Sequence, residues 1–276
     1  MSLGELAGLE PATQLRNVFG EALLQVCREE PRVVVLDGDL GSSTGAHAVR
    51  GEFPQRFFNL GIAESNLVGV GAGLAACGYI PFVVSLSSFL LCNAYDQIRV
   101  SVCIAGLNVK LAGSHSGLTT GREGPSSMSI EDYALAGGLP DMTILVPSDP
   151  ACMRWAIRAA AQHVGPVYVR SSREALPHIY PEGYGFALGK ANTVREGRDV
   201  TLVACGLMVA VALDAAVLLE RDGIEARVLD VHTLRPLDVE AITAAARETG
   251  AIVTTEEHLI RGGLGALVAQ TVVNTW

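Results

Sequence analysis

The sequence predicts an α/β fold in two successive units, residues 1–180 and a smaller one over 190–276, each with a mostly parallel sheet. Three observations carry this. Short β-branched runs alternate with longer stretches of helical period, the pattern of βαβ units. A chain of 276 residues, 49% of them hydrophobic, can fill two cores. The alternation breaks once, at Pro177–Gly189, which holds two prolines, two tyrosines and three glycines with no apolar period and reads as a linker.

The elements follow in order. Pro11–Glu30 has a helical period, with Thr13 as its cap. Arg32–Leu36 is a buried strand ending in Asp37-Gly-Asp39, and Phe57–Leu60 is a second. Leu67–Cys77 reads as a helix of small residues, Ile80–Val84 as a strand, Ala94–Gly106 as a helix and Asn108–Ala112 as a strand. Thr143–Val146 is a strand closed by Pro147; Asp149–His163 is a helix and Pro166–Arg170 a strand. After the linker come strand Val200–Cys205, helix Val209–Asp222, strand Ala226–Asp230, helix Asp238–Thr249 and strand Ala251–Thr255, then a glycine-rich turn into Leu264–Val273. No internal repeat is evident.

A net charge of −9 and a pI near 5.2 argue against nucleic-acid binding, which needs a basic face. Basic residues are scattered, with no membrane-surface patch. The mean hydropathy of +0.34, with only 18% charged residues, reads as surface buried in an oligomer. The 31 uncharged residues Ser65–Tyr95 are broken by Gly69, Gly71, Gly73, Gly78 and Pro81, so they do not read as a membrane span. The N-terminus lacks a basic region followed by an apolar core, and a cytoplasmic location is expected. The six cysteines form no C-x-x-C pair and read as buried small hydrophobes in a reducing compartment.

Glu64 heads that uncharged run. It is either a first-turn helix residue facing water or a buried acid kept for chemistry. His115, in Gly113-Ser-His-Ser-Gly117, follows a buried strand, and strand C-ends are where open α/β sheets place ligands; a satisfied surface histidine is the ordinary alternative. The loop His115–Ser129, with Gly117, Gly121, Gly124 and Pro125, is of a length that is functional or disordered in compact domains. Arg170 and Arg173 either bind an anion or cap the sheet edge. Arg261-Gly-Gly-Leu-Gly265 reads as a turn opening a helix, since its spacing is not that of a dinucleotide site. Metal-ligand spacings, a P-loop and a G-x-S-x-G elbow are all missing from the sequence.

Read together, these motifs resemble the C-terminal half of a transketolase. Leu36-Asp-Gly-Asp-Leu40, Arg56-Phe-Phe-Asn-Leu-Gly-Ile-Ala-Glu64, Ala94-Tyr-Asp-Gln-Ile-Arg99, Ser114-His-Ser-Gly-Leu-Thr119 and Asp141–Pro147 resemble successive blocks of the family's pyrimidine-binding domain. Glu256-Glu-His258 and Gly262-Gly-Leu-Gly265 resemble its smaller C-terminal domain. The blocks keep their order over nearly the whole chain, and the particular likeness is to split transketolases, whose halves are separate chains. The resemblance implies that Glu64 hydrogen-bonds the aminopyrimidine of thiamine diphosphate and thereby activates it. It also implies that Phe89 stacks on that ring, that Leu86 and Tyr95 fall at cofactor positions, and that His115 contacts a sugar. Ser43 and Arg173 match positions that help bind a substrate phosphate.

The chain also departs from the family. Gln14 stands where many members carry a phosphate-binding arginine. Arg122 replaces an acid although Glu123 keeps the next one, and Ser127-Met128 stands where a His-Gln pair is expected. The donor or acceptor is therefore expected to differ from a common pentose phosphate. The family's Gly-Asp-Gly, which holds the diphosphate through Mg²⁺ (or Ca²⁺), is not present: Asp37-Gly-Asp39 has the opposite order. The resemblance thus implies no metal ligands on this chain, a separate N-terminal subunit that carries them, and self-association in an α2β2-like heterotetramer. The expected activity is transfer of a two-carbon ketol unit from a ketose to an aldehyde. The alternatives are a 2-oxo-acid dehydrogenase β subunit, a deoxyxylulose-phosphate synthase-like enzyme, or a non-catalytic interaction subunit.

Overall fold

The computed structural model describes residues 2–275; Trp276, which closes the sequence, lies outside them. The strands are β1 (Glu10–Gln14), β2 (Val33–Asp37), β3 (Phe57–Asn59), β4 (Ile80–Leu86), β5 (Lys110–Ser114), β6 (Thr143–Leu145), β7 (Val167–Arg170), β8 (Ala175–His178), β9 (Asn192–Arg195), β10 (Val200–Ala204), β11 (Ala226–Asp230), β12 (Thr233–Arg235) and β13 (Ile252–Thr255). The helices are α1 (Leu15–Glu29), α2 (Gly41–Thr44), α3 (His47–Glu52), α4 (Glu64–Ala76), α5 (Ser87–Asn93), α6 (Tyr95–Gln97, continued by a π-helical stretch Ile98–Ile104), α7 (Asp132–Gly137), α8 (Pro150–Gln162), α9 (Met208–Arg221), α10 (Val239–Thr249) and α11 (Leu264–Thr275).

Seven strands form the first sheet in the order β12-β6-β7-β5-β4-β2-β3, all parallel except the edge strand β12. Side chains alternate across a strand, and here each face meets its own core. Val33, Val35, Phe82, Val84, Val167 and Val169 pack under α1 and α8. Leu36, Val83, Leu111 and Tyr168 point the other way, under α4 and α5. The second sheet has the order β13-β10-β11-β9, with β9 antiparallel. One face is covered by α9; the other, through Val203, Leu229 and Val231, joins the same core as Leu36 and Tyr168. The two sheets therefore share one apolar interior.

Several expectations need correction. Residues expected to open a helix capped by Thr13 form β1 instead. This strand pairs antiparallel with β8, and the Thr13 hydroxyl meets His178 Nε2 at 2.9 Å, so α1 starts only at Leu15 without a side-chain cap. The helix of small residues begins at Glu64 itself, three residues earlier than its period suggests. The stretch expected as a helix after Ala94 is largely a π-helix, a form frequent at functional sites. Helices α2, α3, α5 and α7, each of seven residues or fewer, are too short to leave a sequence period. The expected linker starts inside β8 and has no regular element after His178, yet Tyr180, Tyr184 and Phe186 cluster within it, and Phe186 lies edge-on to His232 and tilted against Trp155. Sequence order and sheet membership also part company: β12 returns from the second unit to the first sheet, while Gly4 and Ala7 donate backbone N–H groups to Asp214 on α9. Cys77 and Cys92 are exposed; the other four cysteines are buried, as expected. No helix of the described residues is long and apolar enough to cross a membrane.

Candidate active site

The parallel strands end on one edge of the first sheet, and their C-terminal ends collect the candidate residues. Alternation along β4 puts Ser85 on the face covered by α4, whose first residue is Glu64. Ser85 Oγ donates to Glu64 Oε1 at 2.9 Å; Oε2 accepts no hydrogen bond from the described residues. Glu64 is only 4% exposed, whereas Ile62, two residues before it, is 82% exposed. An acid here gains from the positive end of the helix, but burial with one oxygen unclaimed has the character of a site held ready for a partner. Of the two readings of Glu64, the water-facing one does not hold.

After Ser85 the chain turns directly into α5. Leu86 is buried and Phe89 half-buried. Ser88 Oγ donates to Ser127 O at 3.3 Å and Ser87 Oγ bonds Ser116 Oγ, tying this turn to the loop that follows β5. Ser127 is buried. Tyr95 is half-buried against the core, and its hydroxyl lies near Gly138 beyond the end of α7. The β4–α5 turn thus carries Leu86 and Phe89 beside Ser85, the partner of Glu64, and is tied to Ser127.

His115 is 6% exposed, so it is not the surface histidine that a lone residue of this type suggests. Its φ of 56° lies in the left-handed region, a conformation uncommon outside glycine that concentrates at functional sites. Thr120 Oγ1 donates to its carbonyl at 2.5 Å, and Ser114 Oγ lies 2.9 Å from Nδ1. Burial lowers its pKa from the usual 6.5; the nearby Arg173 and Arg16 push the same way, against Glu123. Glu123 and Arg173 face each other at 3.2 Å. The Arg173 Nε proton points off that line, so this is an ion pair without a hydrogen bond. Ser43 sits half-buried on α2, which packs near α1 through two glycines: a Cβ on Gly45 (φ 88°) would collide with Arg16 O, and one on Gly20 with Gly45 O.

Arg170 is buried and paired inside the chain. Its Nε donates to Asp132 Oδ2 at 2.7 Å, Tyr168 OH donates to the same oxygen, and its Nη2 donates to Ser129 O and Glu257 O. The turn Arg261–Gly265 opens α11 as expected. Its helix N-terminus is filled by Glu256, which accepts from Leu264 N and Gly265 N. Sequence reasoning missed Ser85, Arg16, Asp132 and Glu257. Only Glu257 carried a signal, as part of the Glu256-Glu-His258 block.

Asp37 and Asp39 each accept one hydrogen bond within the chain, and Asp37 Oδ2 is buried without one. Asp37 accepts from Leu40 N, and Asp39 (φ 64°) accepts from Asn59 Nδ2 at 2.7 Å.

Comparison with known proteins identifies the family. Residues 12–178 match the transketolase pyrimidine-binding domain and 189–276 the transketolase C-terminal domain. The chain is 43% identical over 256 residues to the 6-deoxy-6-sulfo-D-fructose transketolase subunit SqwH of Clostridium sp. (strain MSTE9), covering 93% of this chain and 80% of that one. It is 38% identical over 257 residues to one subunit of the apulose-4-phosphate transketolase of Phocaeicola vulgatus, covering 93% and 82%. Among solved structures, a split-gene transketolase described as an inactive β4 tetramer superposes with a TM-score of 0.88 at 43% identity, over 96% of this chain and 87% of that one. The chain belongs to the transketolase family, of which it carries the pyrimidine-binding and C-terminal domains in succession.

Proposed function

We propose that this chain is the C-terminal subunit of a two-chain transketolase, moving a two-carbon ketol unit from a ketose to an aldehyde, with domains over 1–180 and 190–276. The observation that carries the reading is the buried Glu64 carboxyl, held by Ser85 on one oxygen and open on the other. That donor set fits a ring nitrogen of thiamine diphosphate, the cofactor the family implies. When bound, the cofactor would supply a nucleophilic thiazolium carbon for ketol transfer. Glu64 holds a proton against the pyrimidine ring, and Ser85 fixes the carboxyl so that it presents one oxygen. Phe89 and Leu86 give that ring an apolar wall. His115, neutral near pH 7, orients substrate hydroxyls, and Glu123 and Ser127 line the same loop.

The family's Gly-Asp-Gly is not in this sequence, which supports assigning the diphosphate and its Mg²⁺ (or Ca²⁺) to a partner subunit. Exposed Phe58, Ile62, Val100 and Ile104 on this side of the first sheet support an assembly in which partner and self contacts cover them. Arg173, Ser43 and the nearby Arg16 are suited to an anionic substrate tail. Two relatives are named for substrates with a sulfonate or phosphate end.

The test is native purification, with measurement of mass, partner identity and bound cofactor, followed by a ketol-transfer assay. A complex with a second chain, thiamine diphosphate and a divalent metal, transferring the unit to an aldose, is the expected result. A cofactor-free homo-oligomer inert toward every partner overturns the reading, and carbon dioxide release from pyruvate without an acceptor redirects it to 2-oxo-acid chemistry.

The environment of His115 makes a separate expectation. Proton-detected titration of the isolated chain should place its pKa below 6.5. Because Glu123 raises that value and Arg173 lowers it, Glu123→Gln should move it further down and Arg173→Gln should move it up. In the assembled enzyme, KM for the ketose should stay flat as pH falls to about 6.5 and rise only below it. A histidine titrating above its ordinary value would contradict the neutral, hydroxyl-orienting role.

A further inference from the structure

The four residues after β13 are all spent on hydrogen bonds, and three of them reach across to the first sheet's loops. Glu256 stays within its own unit, at the N-terminus of α11. Glu257, 7% exposed, accepts from Thr119 N at 2.8 Å on Oε1 and from Thr119 Oγ1 at 3.2 Å on Oε2. Its carbonyl accepts from Arg170 Nη2 at 2.9 Å. His258 Nε2 accepts from Tyr133 N at 3.1 Å and Ala134 N at 3.4 Å, the first turn of α7, while Nδ1 lies 2.8 Å from Leu259 O. Nδ1 thus donates to Leu259 O while Nε2 caps a helix. Leu259 N donates to Ile130 O at 2.8 Å.

These contacts bracket the loop His115–Ser129. Glu257 grips its first turn, Leu259 its exit at Ile130, and His258 the helix beyond. The grip is tight at the entry: Gly117 has φ 86°, and a Cβ there would stand 2.7 Å from the Glu257 carboxyl carbon, so only glycine fits beneath the carboxylate. Thr119 lies four residues from His115, whose carbonyl is held in turn by Thr120. A carboxylate accepting two bonds in a buried setting is the strong form of such a contact.

We propose that Glu257 is a positioning residue: from the second unit it fixes the loop His115–Ser129, and so holds His115, Glu123 and Ser127 in the geometry that receives the sugar. The functional half of this rests on the transketolase reading; the mechanical half does not. Glu257 touches neither Glu64 nor its Ser85 partner, so cofactor binding stands outside its reach.

Two measurements test the two halves. Hydrogen exchange on the isolated chain, wild type against Glu257→Ala and Glu257→Gln, reads the latch without any activity. Residues 117–131 should exchange about tenfold faster in Glu257→Ala, the size expected from losing bonds to a charged group, with β2, β4 and β10 unchanged. Glu257→Gln, which keeps one acceptor oxygen, should fall between, and it carries the test if Glu257→Ala does not fold. In the reconstituted complex, Glu257→Ala should raise KM for the ketose about tenfold while kcat and thiamine diphosphate affinity change less than threefold. Unchanged exchange in the loop overturns the latch. Cofactor affinity falling in step with KM overturns the positioning role in favour of general loosening. Faster loop exchange with a wild-type complex that transfers no ketol unit keeps the latch and removes the transketolase reading.

Discussion

Glu64→Gln is expected to lower ketol transfer in the complete enzyme by ~10²–10⁴-fold, the usual contribution of a positioned acid–base group, without changing subunit assembly. Glutamine preserves shape and can still accept from Ser85, so the 2.9 Å contact at Oε1 survives. What it cannot do is exchange a proton with a ring nitrogen through the second oxygen. The acid is buried and shielded by the glycine-bearing helix α4 rather than paired with a base; the described residues provide no ion pair to it. Its loss therefore removes function without leaving an uncompensated charge, and thermal stability should hold or rise slightly. Ser85→Ala makes a useful companion. It keeps the acid but frees its orientation, and should cost less, about tenfold, the worth of one hydrogen bond to a charged group. The measurements are single-turnover rates and sedimentation of the reconstituted complex. A Glu64→Gln enzyme within threefold of wild type would remove Glu64 from the chemistry.

The sequence made Glu64 and His115 visible because their signals are local: a lone acid ahead of a long uncharged run, and a histidine between small residues at a strand end. What it hid are partners distant in the chain. Ser85 is 21 residues from Glu64, Thr13 is 165 from His178, and Glu257 is 138 from Thr119. Thr13 looks like a helix cap by local rule, yet β1 finds β8 and tertiary pairing overrides the preference. Arg170 is the clearer case. From sequence it is a strand-end arginine open to two readings, and its burial beside Asp132 follows only from how α7 packs against α5 and β6. Helices α2, α5 and α7 share another cause: one or two turns do not produce a period, and their ends are set by tertiary contacts such as His258 on α7.

Arg170→Met should be the most destabilising single change in the described structure, costing about 3–5 kcal/mol, as removal of one partner of a buried ion pair does. Arg170 is 4% exposed and Asp132 0%. Burial is the largest single influence and opposes the charge on Arg170, but Asp132, Tyr133, Tyr168 and Cys205 together outweigh it and keep the guanidinium ionised. With Met in its place, Asp132 retains only Tyr168 OH on Oδ2, while Oδ1 already lacks a hydrogen bond. Glu257 O loses its donor as well, and Ser129 O keeps only Gly117 N. Adding Asp132→Asn should recover part of the loss, since a neutral side chain no longer needs a cation, but not all of it, because the Glu257 carbonyl stays bare and Ser129 O keeps one donor in place of two. Denaturant unfolding of the four proteins of this cycle gives the coupling directly. The same cycle separates stability from geometry. Ser129 closes the His115 loop and Glu257 opens it, so the double variant, even where its stability returns, should keep a raised KM for the ketose. Full recovery of both quantities would mean that the charge alone mattered; recovery of stability without KM would mean that Arg170 joins the two units for the sake of the loop between them.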